Sequence, residues 1–143
     1  MTTPTLLPYL DPAGTTPATL PLAFSQDDAG LLPPHQRRFY VMWPASGAWK
    51  FQANSDPGVD PITLSVVDSA PGSGQPASAL KLALTQSGLA TAVGGDPLDL
   101  GTEILFGAVN GVQVWVEFDD NTGVLANDAS LSLALNTLTV VPQ

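Results

Sequence analysis

Apolar side chains recur at every second position along much of this chain. The alternation is clean at residues 62–66 (ITLSV), at Leu80, Leu82 and Leu84, at Val112, Val114, Val116 and Phe118, and at Leu131, Leu133 and Leu135. A period of two puts successive side chains on opposite faces of an extended chain, so each stretch predicts a half-buried strand. Residues 38–43 (RFYVMW) form a nearly continuous apolar run that Pro44 ends, as in a strand covered on both faces. After a turn at 45–47, residues 48–53 (AWKFQA) alternate again and place Trp49 and Phe51 on one face. The one helical contender, Leu80 to Leu89, alternates too strictly for a helix.

Turn chemistry separates these stretches. Residues 54–58 (NSDPG), the polar segment 68–78 and the Gly-rich segment 88–99 carry the residues that turns require. Asn110-Gly111 lies between two apolar runs, residues 102–109 and 112–118. Both residues tolerate positive φ, so the pattern predicts a two-residue hairpin with Phe106 facing Trp115 and Leu105 facing Val116. Trp115 makes the second face of 112–118 partly apolar, as in a central strand. A last strand is expected over residues 130–141. About eight closely spaced strands and no helix predict an all-β chain, a single antiparallel β-sandwich or jelly roll.

The N-terminal stretch breaks the pattern. Seven of the fourteen prolines fall in residues 1–36, which hold no sustained period. The one strand expected there is 20–24 (LPLAF), which Pro21 confines to an edge. Such a segment buries too little apolar surface to offset its ordering entropy unless its own body or a neighbouring subunit holds it. Residues 1–36 therefore read as an extended arm and residues 37–143 as the β-sandwich. Tyr9, Leu20 and Phe24 are the arm's candidate contact residues.

Composition narrows the partners. The chain is 44% hydrophobic and only 12% charged, with 13 acidic residues against 4 basic and a net charge of −9. That balance argues against nucleic acid and against anionic membrane surfaces. No cysteine is present, which excludes disulfides and thiolate metal sites. No apolar run approaches the ~20 residues that span a bilayer. The opening residues 1–14 lack the basic and apolar regions of a signal peptide, so a soluble product made in the cytoplasm is expected.

Catalytic groups are few. His35 is the one histidine, and no Gly-x-Ser-x-Gly elbow accompanies it. Glu103 and Glu117, the two glutamates, fall on opposite faces of adjacent predicted strands, the wrong geometry for a carboxylate pair. The expectation is a protein that is not an enzyme. His35, Arg37 and Arg38 gather basic charge at the junction of arm and body. They read either as a contact for an acidic surface, such as another copy of this chain, or as ordinary solvated charge. Asp119, Asp120, Asn121, Asn127 and Asp128 cluster around one loop. Their oxygens suit calcium, although Asp, Asn and Gly also simply make turns, and that is the favoured reading. Trp43, Trp49 and Trp115 stack on sugars if exposed; core placement is the commoner use.

Two resemblances add to this. Residues 114–133 (VWVEFDDNTGVLANDASLSL) resemble the closing hairpin of the calcium-dependent galactose-binding β-sandwich lectins of bacteria, and residues 41–58 are loosely similar to an earlier strand pair. The resemblance implies Asp119 and Asn127 as calcium ligands. The chain departs at Ala126, where the family has an Asn ligand, and at Ala129, where it has Gly. Second, an Ala/Gly/Pro/Thr/Leu-rich, cysteine-free chain with an extended arm on a small β-sandwich resembles the accessory virion proteins of tailed bacteriophages, above all capsid decoration proteins. That resemblance implies a structural protein of the virion, a decoration (cement) or other minor capsid component. It would be made in the host cytoplasm and act without a cofactor through contacts with its own copies and with a major capsid or other virion protein. A calcium-dependent carbohydrate-binding module with a glycan partner is the alternative, and a tail or neck protein a third.

Overall fold

The structure is a computed structural model that describes residues 4–17, 35–69, 72, 76–118 and 131–143. Within them the chain is all-β and sandwich-like in character. The strands are β1 (Leu7–Tyr9), β2 (His35–Met42), β3 (Trp49–Ala53), β4 (Thr63–Asp68), β5 (Leu80–Ala83), β6 (Leu98–Asp99), β7 (Ile104–Leu105), β8 (Val112–Phe118), β9 (Leu131–Leu135) and β10 (Leu138–Pro142). They pair antiparallel into three sheets, ordered β1-β2-β8-β5, β10-β3-β7 and β6-β4-β9.

One apolar core joins the three sheets. The first sheet contributes Phe39, Val41, Leu82, Val114 and Val116, the second Phe51 and Ile104, the third Leu64, with Val66 and Leu133 packed against them. The alternation expected at 62–66 holds, since Ile62 and Leu64 are buried and Val66 half-buried. β8 lies between β2 and β5. Its inward Val114 and Val116 are buried and Val112 half-buried, while Trp115 takes the other face, as a central strand requires.

The Asn110-Gly111 hairpin does not form. β7 pairs with β3, and β8 pairs with β2 and β5, so Phe106 does not face Trp115 nor Leu105 Val116. Between them the chain turns at Gly107, whose φ of +106° excludes most side chains, and enters a 3-10 turn over Ala108–Asn110. Gly107 N–H donates to Trp43 O (2.9 Å), and the Asn110 side-chain amide donates to Phe106 O (2.8 Å). Gly111 has an ordinary φ of −60°. It is glycine for a different reason: a Cβ there would sit 2.9 Å from Met42 Cε, and Met42 is fully buried. The two flanks of β8 each find a better partner far away in sequence, and tertiary pairing overrides the local turn preference.

The strand expected over residues 130–141 is two strands in two sheets. β9 pairs with β4 and β10 with β3, and the chain crosses between them at Asn136-Thr137. Asn136 Oδ1 accepts from Thr63 N (3.0 Å) and its Nδ2 donates to Pro61 O (3.1 Å), while Thr137 O accepts from Asn54 N (2.9 Å). Strands that change sheets in this way form the corners of sandwiches.

The start of the arm is part of the body. β1 pairs with β2 in the register Leu7↔Met42 and Tyr9↔Tyr40, and Leu6 is buried in the core. Pro8 is tolerated because β1 is an edge strand. The chain then folds back, with Leu10 N–H donating to Thr16 O. The Asp11 carboxylate accepts from Thr15 Oγ1 (2.6 Å) and Thr16 N (2.7 Å), bonds that hold its pKa below the ordinary value of 3.8, the Thr15 hydroxyl foremost. The strand expected at 20–24 lies outside the described residues.

Candidate interaction face

Period two along β2 divides its side chains. Phe39 and Val41 point into the core, and Arg37 shares their face. Gln36, Arg38 and Tyr40 point the other way. In register beside them are Glu117, Trp115 and Gln113 of β8, and beyond these Lys81 and Ala83 of β5. Tyr9 stands opposite Tyr40 on β1 but is buried, so it adds no exposed ring to this face and, unlike an arm contact residue, packs on its own body. The outer face of the first sheet is thus a mixed aromatic and polar surface.

Its middle row is Arg38 beside Trp115. The Arg38 guanidinium carbon lies 5.5 Å from the Trp115 ring centroid and 5.6 Å from that of Tyr40, so both rings attract the cation. The next row is a chain of fixed polar groups. Gln86, from the turn after β5, donates to Gln36 Oε1 (2.9 Å), Gln36 donates to Glu117 Oε1 (2.9 Å), and Lys81 Nζ sits 3.6 Å from Glu117 Oε2. On the other side Gln113 donates to Leu84 O (3.3 Å).

The four cations of the chain divide in two. Lys81 is paired with Glu117, and Lys50 with Glu103 at 2.7 Å, a hydrogen bond that holds the Glu103 pKa below the ordinary 4.5. Arg37 and Arg38 are exposed and form no ion pair among the described residues. Adjacent in sequence, they leave opposite faces of β2, so a single flat contact uses one of them only. Glu103 and Glu117 each hold a lysine in regions belonging to different sheets.

Other candidates fall elsewhere. The His35 backbone pairs with Phe118; its side chain is not among those described. Asp119, Asp120, Asn121, Asn127 and Asp128, the candidate calcium loop, and Leu20 and Phe24 lie outside the described residues. Among the described residues no group of three or more His, Cys, Asp or Glu converges on a metal position. Trp43 packs at the core edge against Phe106 (6.2 Å between centroids), while Trp49 is 47% exposed. A groove of about 260 Å³ between Leu6 and the β9–β10 corner is lined by Phe51, Leu135, Leu138 and Val140 and holds no titratable side chain.

Sequence reading put Trp115 on the face of β8 opposite the valines but favoured a core role for it, whereas it is half-buried on the outer face; Gln36, Tyr40 and Gln86 were missed. The signal for the first two was present: extending β2 back to His35 puts Gln36, Arg38 and Tyr40 in phase. Compared with known proteins, the chain matches no family model, no curated protein and no solved structure.

Proposed function

We propose that the chain is a structural protein of a virion, a capsid decoration or other minor capsid component that stabilises a particle through subunit contacts. On this reading the three sheets make one jelly-roll sandwich, and residues 1–36 are the arm that reaches a neighbouring copy or a major capsid protein. The observation that carries it is the docking of β1. Residues 6–9 are pinned to the sheet edge by the burial of Leu6 and by pairing with β2, yet Leu7 and Leu10 remain 44% and 42% exposed. A pinned segment presenting apolar side chains has lost its entropy already, which lowers the cost of a second contact. The low charge fraction and excess of acidic residues fit a protein that meets other proteins rather than nucleic acid.

The test is incorporation. Leu7→Asp and Leu10→Asp change exposed side chains and should leave the far-UV circular dichroism intact while removing the chain from purified virions, read by quantitative mass spectrometry. Full occupancy by the double variant would refute the contact, and a wild-type chain absent from purified virions would refute the function.

A further inference from the structure

The subunit-contact reading uses the outer face of the first sheet only at its β1 edge, where Leu7 stands opposite Met42, and the remainder of that face is organised. Arg38 lies within cation–π range of two rings, which hold its guanidinium over this face while its N–H groups stay open to an acceptor. Among the described residues it donates no hydrogen bond and makes no ion pair, although the chain carries 13 acidic residues. Along one side, Gln86, Gln36, Glu117 and Lys81 hold each other in place across three strands. Glu117 is neutralised by Lys81 and occupied by Gln36, so it does not oppose a second anion at Arg38.

We infer that this face binds a carboxylate-bearing saccharide, independently of calcium. The carboxylate takes the N–H edge of Arg38, the C–H face of the sugar ring lies against Trp115 and Tyr40, and the amides of Gln36 and Gln113 meet hydroxyls. Three features select this class. A planar guanidinium favours a carboxylate, which accepts two parallel N–H bonds, over a neutral hydroxyl. Aromatic rings favour a ligand with an apolar face. Carboxamides both donate and accept, as hydroxyls do. A polyphosphate or nucleic acid fits poorly, because it brings several charges to a face where, among the described residues, Arg38 is the one cation without an ion pair, on a chain of net charge −9. An acidic peptide shares the carboxylate but not the dense hydroxyls, and the experiment separates the two.

The ¹⁵N-labelled chain is titrated, in chelator throughout, with galacturonic acid, with N-acetylneuraminic acid, with neutral galactose oligosaccharides and with a short poly-glutamate. At least one of the two acidic sugars is expected to move the Trp115 indole N–H and Arg38 Nε–H resonances, with neutral sugars binding at least about tenfold more weakly. Arg38→Gln, an exposed change, is expected to weaken acidic-sugar binding about tenfold or more with the rest of the spectrum unchanged. Trp115→Phe, which keeps a smaller ring, should weaken it less. The inference is overturned if neither acidic sugar moves these resonances, if neutral sugars bind as well, if Arg38→Gln binds unchanged, or if poly-glutamate binds more tightly than both acidic sugars.

Discussion

The corner at Asn136 allows a stability prediction with a magnitude. Its side chain makes two hydrogen bonds, accepting from Thr63 N–H at 3.0 Å and donating to Pro61 C=O at 3.1 Å, both partly buried. Asn136→Ala removes both and leaves a backbone donor and a backbone acceptor without their partners. A net hydrogen bond contributes about 0.5–1.5 kcal/mol, and orphaning a buried group costs about 1–3 kcal/mol. Half-burial lets water recover part of that cost, which places the expected loss at about 2 kcal/mol. The main-chain bond from Asn136 N–H to Thr63 O (3.1 Å) survives, as does that from Asn54 N–H to Thr137 O. The corner should therefore weaken without the topology changing. Urea unfolding followed by tryptophan fluorescence should show a lower midpoint at unchanged m, and the melting temperature should fall by roughly 6–8 °C. Asn136→Asp keeps the acceptor for Thr63 and loses the donor to Pro61, so it should retain part of the difference at neutral pH. A loss below about 0.5 kcal/mol for the alanine variant would mean that backbone pairing alone makes the corner, and the argument from the side chain would fall.

Gly111→Ala keeps an allowed φ but drives a methyl against Met42 Cε and Ala108 O, so it should cost about 1–3 kcal/mol, and Met42→Ala in the same chain should cost less than its sum with the single change; strict additivity in chemical denaturation would contradict the contact. Asp11 should titrate below 3.8 by ¹³C NMR of its carboxyl, because its folded pKa is lowered by the Thr15 hydroxyl and the Thr16 amide. The stabilisation of the 11–16 turn is then present above pH 3.8 and lost as pH falls through the folded value, with the Thr15 and Thr16 amide signals moving in step; a value at or above 3.8 would count against those bonds.

What could be read from the chain followed the range of the forces involved. The alternation at 62–66 and 112–118 survives folding because one buried face imposes it on every residue of a strand. The Asn110-Gly111 signal failed because turn preference is local, whereas β8 gains two distant partners, β2 along its whole length and β5 along its second half, that no local pattern names. The run at 130–141 failed for the opposite reason. Its alternation continues through Asn136, and only the Pro61 and Thr63 backbone, more than seventy residues earlier, reveals that this polar residue is a corner pin. β1 was hidden by Pro8, which lowers strand expectation everywhere except at an edge, and edge position is a property of the assembled sheet.

The candidate face was half legible for the same reason. Trp115 outward of its valines follows from period two, but the link from Gln86 to Gln36 spans fifty residues and depends on where β5 ends. The arginine pair shows the step from sequence to function most directly. Read as a dipeptide, Arg37-Arg38 is one basic patch for one acidic partner. Placed in a strand, it becomes two cations on opposite faces of the same sheet, each with different neighbours. Arg38 gains two aromatic rings, while Arg37 lies opposite Val116 on the core side of β2 yet stays exposed. Changing Arg38 tests the outer face without touching Leu7, Leu10 or Arg37, so loss of one activity need not carry the other with it.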